Sequence, residues 1–181
     1  NPKIEKLYQT LLNVIAKTKN WNQLINITDK AYSNKIIKKE EANENKSIAL
    51  FEIAKIKMKS DDKEAINLIE KAISLKGNFS PYIKLYTQLL FTTNNNTKAL
   101  KILKKYWSQS PSSLLRLSIT EVLKENKINE IEFINRLISK NQNNEESKKL
   151  LIDFAIYFNN WDIARENIKG LIGSNPSREI C

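Results

Sequence analysis

Residues 65–73 read Ala65-Ile66-Asn67-Leu68-Ile69-Glu70-Lys71-Ala72-Ile73, and residues 99–107 read Ala99-Leu100-Lys101-Ile102-Leu103-Lys104-Lys105-Tyr106-Trp107. The two stretches align without a gap at a spacing of 34 residues. Their apolar places fall on one broad face at helical spacing. A third copy, Ile131-Glu132-Phe133-Ile134-Asn135-Arg136-Leu137-Ile138, carries Glu130 in the leading place, 31 residues after Ala99. A fourth, Ala164 to Leu171-Ile172, follows Glu130 by 34. The small leading residue lets two helix backbones approach, and the larger residues four and seven places later fill the groove toward the next unit. Glu130 breaks this rule, so its helix pair is expected to be looser there or to turn that position to solvent.

A 34-residue helix–turn–helix period is that of tetratricopeptide repeats. The expected fold is therefore all-α, a right-handed superhelix (an α-solenoid) of about five antiparallel helix pairs. The pairs are expected at about 3–37, 46–76, 80–109, 112–141 and 145–174, in a single helical-repeat domain over 1–181. Three glycines and four prolines suit long helices and short turns, and an apolar share of 41% suffices for a core. Asn20 and Asp61 are read as N-caps and Gly77 as a helix end. Ser80-Pro81 is read as a cap followed by a first helical residue. Pro111 and Pro176 each lie 12 residues past a leading alanine and mark unit boundaries, because proline cannot continue a helix.

From Leu24 to Ala65 is 41 residues, seven more than the period, so 33–46 is expected to hold an extended helix or a loop. Asn160-Trp161 repeats Asn20-Trp21, and both tryptophans are expected as wedges between paired helices. Trp107 lies on a different face, late in its helix, and is the better candidate of the three for partial exposure, with a core position still expected ahead of ligand contact. The end, Ser177-Arg178-Glu179-Ile180-Cys181, is read as truncated or disordered, because no capping helix follows Pro176. The start at Asn1 rather than Met is read as a fragment or a processed form.

Composition narrows the chemistry. There is no histidine, which removes His-based triads and most zinc, copper and haem-iron sites. The single cysteine, Cys181, excludes an internal disulfide. No glycine-rich phosphate loop and no calcium-loop pattern occurs. Asp61-Asp62-Glu64 and Glu40-Glu41 sit beside lysines at helix starts, as caps and solvated faces do. No catalytic residue, metal or cofactor is expected; the chain reads as a binding protein and not as an enzyme.

The net charge of +10 is uneven, with 21 basic and 10 acidic residues in 1–120 and 9 against 10 in 121–181. A basic surface attracts nucleic acid, anionic lipid or acidic protein. Abundant Lys, Asn and Ile are equally what an AT-rich genome supplies, and no aromatic–basic RNA motif is present. Lys38-Lys39 and Lys104-Lys105 are the pairs placed to touch phosphate. Partners are expected to be proteins, with a basic adaptor for RNA or another polyanion as the rival reading. In helix-pair arrays the first helices line the binding surface. That points to Ala54, Lys57 and Met58 on one first helix and Lys84, Gln88 and Phe91 on the next, a groove for an acidic or amphipathic peptide.

The run Phe154-Ala155 … Phe158-Asn159-Asn160-Trp161-Asp162 … Ala164-Arg165 … Asn175-Pro176-Ser177-Arg178-Glu179-Ile180-Cys181 resembles HemY-type tetratricopeptide proteins linked to bacterial haem biosynthesis. Leu11-Leu12 … Lys19-Asn20-Trp21 … Leu24 is similar to that family's helix pair ending in a tryptophan turn. The resemblance implies membrane helices upstream of this domain and a place at the bacterial inner membrane. It also implies a non-catalytic role at a late step of haem formation, with haem-pathway enzymes as partners. It carries over no catalytic position.

Overall fold

The computed structural model describes residues 2–77, 79–125 and 131–172. Among them the chain forms ten α-helices and no strand: α1 (Pro2–Lys17), α2 (Trp21–Ser33), α3 (Lys39–Lys57), α4 (Asp62–Lys76), α5 (Ser80–Thr92), α6 (Asn96–Gln109), α7 (Ser113–Glu125), α8 (Ile131–Ile138), α9 (Glu145–Tyr157) and α10 (Trp161–Ile172). This is the all-α helical-repeat fold that the 34-residue period predicts. No helix of the described residues is long and apolar enough to cross a membrane. Glu130, Pro176 and the stretch 173–181, Cys181 included, lie outside the described residues.

The repeat register is visible in burial. The leading residues Leu24, Ala65, Ala99 and Ala164 are all buried. So are the residues seven places later, Ala31, Ala72, Tyr106, Leu137 and Leu171. Between them, Thr28, Ile69, Leu103 and Ile134 are sealed completely. One side of each second helix is therefore spent on packing, which leaves the chemistry-bearing side chains to the other faces.

Three of the turns within pairs share one geometry. Lys19, Asn94 and Asn159 take φ of +56°, +59° and +57°. In each case the next amide reaches back five residues: Asn20 to the Ile15 carbonyl (3.3 Å), Asn95 to Leu90 (2.7 Å) and Asn160 to Ala155 (2.7 Å). This is the left-handed helix stop that satisfies otherwise orphaned carbonyls. The asparagine that follows begins the next helix; Asn20 Oδ1 accepts from the Gln23 amide at 3.2 Å. The turn into α4 is different: Asp61 caps it by accepting from the Glu64 amide at 2.9 Å, and Gly77, at φ +76°, ends it.

Two departures from expectation have physical causes. α3 begins at Lys39, not 46, so most of the surplus before Ala65 is taken up as extra helix, and α3 runs for 19 residues. Glu40 and Glu41 sit in its first turn, where carboxylates complement the helix dipole. α8 is described over 8 residues and stops short of the expected 141, because past Ile138 the chain turns, with the Asn141 amide donating to the Ile138 carbonyl at 2.7 Å.

The chain divides into two compact units, Asn1–Leu89 and Leu90–Cys181. In the first, α1 packs on α2, α2 on α3 and α3 on α4. Its core joins Tyr8, Leu12, Ile15, Leu24, Ala31, Ile37, Ala42 and Ala49, with Trp21 and Ile25 partly buried against them. α5 is held to the others through Tyr82, whose hydroxyl lies 3.1 Å from Ser47 Oγ. In the second unit, α6 packs on α7 and α8, α7 on α9, and α9 on α10.

Candidate interaction surfaces

The sequence singles out six groove residues, and the structure places them as follows. Ala54 is fully buried on the packed side of α3, so it offers no side chain to a partner. Lys57 pairs with Glu64 of α4 at 2.5 Å, and Glu64 raises its pKa, first through that hydrogen bond and then by charge. Met58, the residue that ends α3, is exposed. Lys84 and Gln88 are half-buried on α5 in the first unit, and Phe91 is half-buried in the second. The Lys57 ammonium is thus tied to α4.

The tryptophans also depart from expectation. Trp107 is fully buried, and Trp161 is exposed over half its surface (53%). Trp107 lies eight residues after Ala99, about 80° round the helix from it, and the packed side of α6 is broad enough to bury it beside Leu103 and Tyr106. There its indole Nε1 donates to Ser147 Oγ at 3.1 Å, and its carbonyl accepts from Asn141 Nδ2 at 2.8 Å.

A better-formed surface lies between two other first helices, α7 and α9. Arg116 projects from α7 and is only 13% exposed at its side chain. Its Nε donates to Glu146 Oε2 at 3.0 Å and its Nη1 to Asp153, both on α9. Burial would lower the guanidinium pKa, but Asp153 and Glu146 outweigh it and hold the value above normal. The cation is therefore permanent and fixes the spacing of the two helices.

Beside this bridge is a cleft of about 290 Å³ lined by Arg116, Leu117, Thr120, Lys124, Asp153, Ile156 and Tyr157. Leu117 (49%), Ile156 (47%) and Tyr157 (45%) all stand exposed around it. Lys124 Nζ lies 5.1 Å above the Tyr157 ring, a cation–π contact that steadies the ring. With Arg116 neutralised, the cleft offers apolar surface with a polar rim, and it has room for roughly one or two bulky side chains. The signal for it in the sequence is a single charge inside each of two apolar runs: Leu114-Leu115-Arg116-Leu117 and Leu150-Leu151-Ile152-Asp153-Phe154.

No group of acidic, cysteine or histidine side chains able to hold a metal occurs among the described residues.

No family model matches the chain, and no curated protein matches it. The HemY-type resemblance therefore rests on the quoted residues alone, of which 175–181 lie outside the described part. Among solved structures, the chain is similar to YrrB, described as a TPR protein with an unusual peptide-binding site, at 15% identity and TM-score 0.44, over 96% of this chain and 87% of that one. It is also similar to a MamA double mutant at 14% identity and TM-score 0.45, over 93% of each chain. A second MamA mutant matches at 14% identity and TM-score 0.42, over 94% of this chain and 97% of that one.

Proposed function

We propose that this chain is a non-catalytic interaction scaffold that receives an apolar anchor of a partner protein in the α7–α9 cleft. The observation that carries this reading is the trio Leu117, Ile156 and Tyr157, exposed around a cleft whose walls are locked by the Arg116 bridge. A preformed apolar cleft with a polar rim binds without first having to be ordered, which is where much of the cost of association lies. Aromatic and aliphatic anchors seated in such clefts dominate the energy of peptide recognition. An amphipathic segment, with its apolar face toward Leu117 and Ile156, fits the chemistry.

The finer placement follows the HemY-type resemblance. On that reading the partner is an enzyme of late haem formation, and the chain is the extramembrane part of a bacterial inner-membrane protein. What supports it is the sequence run Phe154 to Arg165 together with the described helix pair that contains it.

The test is site-specific photo-cross-linking from position 120 in the full-length protein in its own cells, with attached proteins identified by mass spectrometry. The scaffold reading expects a discrete partner that disappears when Leu117→Asp and Tyr157→Asp are combined and persists in Lys63→Asp on α4. An unchanged cross-link pattern in the double variant counts against the cleft. A partner unrelated to haem formation, lost in the same way, would keep the scaffold and discard the haem assignment.

A further inference from the structure

We infer that the cleft between α6 and the end of α8 binds a compact polyanion that carries two or more phosphate groups. This surface is separate from the α7–α9 cleft and does not depend on the reading given for it. Its volume is about 460 Å³, within the ordinary range of small-molecule sites. Five cations line it: Lys101, Lys104 and Lys105 from α6, with Arg136 and Lys140 from α8 and the turn after it. Among the described residues no carboxylate shares the lining.

The concentration of charge is the decisive feature. Lys101, Lys104 and Lys140 make no ion pair among the described residues. Arg136 is held only loosely, 3.7 Å from Glu132, in a pair whose side chains are both exposed. Like charges gathered around one small cavity repel one another and raise the local potential, which a multivalent anion relieves. A phosphate group carries about −1.5 to −2 charges near neutrality, whereas a carboxylate carries one. Two or three linked phosphates therefore match this density within the available volume, and a peptide carboxylate does not.

The remaining lining agrees. Ser108, Gln109 and Ser139 add neutral hydrogen-bonding groups suited to phosphate oxygens, and buried Leu137 forms an apolar floor. Among the described residues no aromatic ring lines the cleft, so single-stranded nucleic acid lacks there the stacking platform on which its recognition depends. Lys104-Lys105 is the pair that the sequence marks as able to touch phosphate, and here it stands among three further cations.

The test is calorimetric titration of the full chain with inorganic tripolyphosphate at low salt, alongside the thermal midpoint. One site per chain is expected, with a raised midpoint, since a ligand that binds only the folded state stabilises it. Lys104→Gln with Lys140→Gln is expected to weaken binding at least tenfold, while Lys6→Gln with Lys17→Gln on α1 leaves it unchanged. Absence of binding, or equal weakening in both double variants, overturns the site. Tighter binding of hexaglutamate or of a single-stranded oligonucleotide than of tripolyphosphate overturns the phosphate assignment. Leu117→Asp is expected to leave tripolyphosphate binding intact, which separates this result from the scaffold reading.

Discussion

The Trp107 indole donates to Ser147 Oγ at 3.1 Å across 40 residues of sequence, and both residues are sealed from solvent. A second bond, from Asn141 Nδ2 to the Trp107 carbonyl, brings the chain between α8 and α9 onto the same residue. Trp107 is thus a packing wedge and a polar tie between α6 and α9. Trp107→Phe keeps most of the apolar contact but removes the donor to a buried hydroxyl. A loss of about 1–3 kcal/mol is expected, the usual cost of such an orphaned group. Urea denaturation checks it, and a cycle with Ser147→Ala should recover part of the loss when both partners are gone.

Arg116 makes the corresponding tie between α7 and α9. Arg116→Met should destabilise the chain by about 2 kcal/mol, because Asp153 and Glu146, both partly buried on α9, lose the guanidinium, Glu146 keeping only Lys149 at 3.6 Å among the described residues. The same substitution should weaken any partner held by the cleft, since the spacing of its walls is no longer set. An unchanged midpoint in chemical denaturation would show that the bridge is incidental.

Lys35 sits at φ +56° just after α2, a conformation that costs a side-chain-bearing residue free energy that glycine does not incur. Lys35→Gly should raise stability by about 0.5 kcal/mol after allowing for the greater freedom of glycine in the unfolded chain. Asn159→Gly, at φ +57°, should gain less, since asparagine tolerates this region. Thermal midpoints of the two variants, ranked in that order, would confirm the account; a lower midpoint for Lys35→Gly contradicts it.

Burial pushes the Tyr82 phenol above its ordinary value, against the opposing hydrogen bond from Ser47. Phe51 and Phe79 stack around it with ring centroids 4.8 Å away in each case. The neutral phenol is favoured in the folded chain, so its contribution to stability is complete below the unfolded tyrosine value of about 10. It is lost as pH rises through the higher folded value. Stability measured against pH should fall in this alkaline window, and less steeply in Tyr82→Phe. An identical alkaline profile for the variant would remove Tyr82 as the cause.

Helix positions were largely legible because period and caps agree. α4 and α6 fall where the alanine-led runs put them, and α4 starts at the cap that Asp61 marks. The early start of α3 was legible only as one of two alternatives, because Lys39 to Asn45 is almost wholly polar and its helicity comes from charge placement and from burial of Ala42. Trp107 is buried although its late position, eight residues or about 2.2 helical turns from Ala99, puts it well round the helix; the packed side of α6 is broad enough to hold it beside Tyr106. The Arg116 bridge joins residues 30 and 37 apart, a pairing that no local pattern encodes. Only the lone charges in two apolar runs hint at it.

Most helix contacts among the described residues run between elements one or two places apart in the chain, with the Trp107–Ser147 tie from α6 to α9 reaching three. Chains built from such short-range contacts close small loops before gaining their interactions, so they fold quickly for their size. Each hairpin with its left-handed stop at Lys19, Asn94 or Asn159 is a natural starting point, and growth proceeds by adding the neighbouring helix. Hydrogen exchange should accordingly be fastest at the outer helices α1 and α10 and slowest where Trp107 and Tyr82 anchor their neighbours.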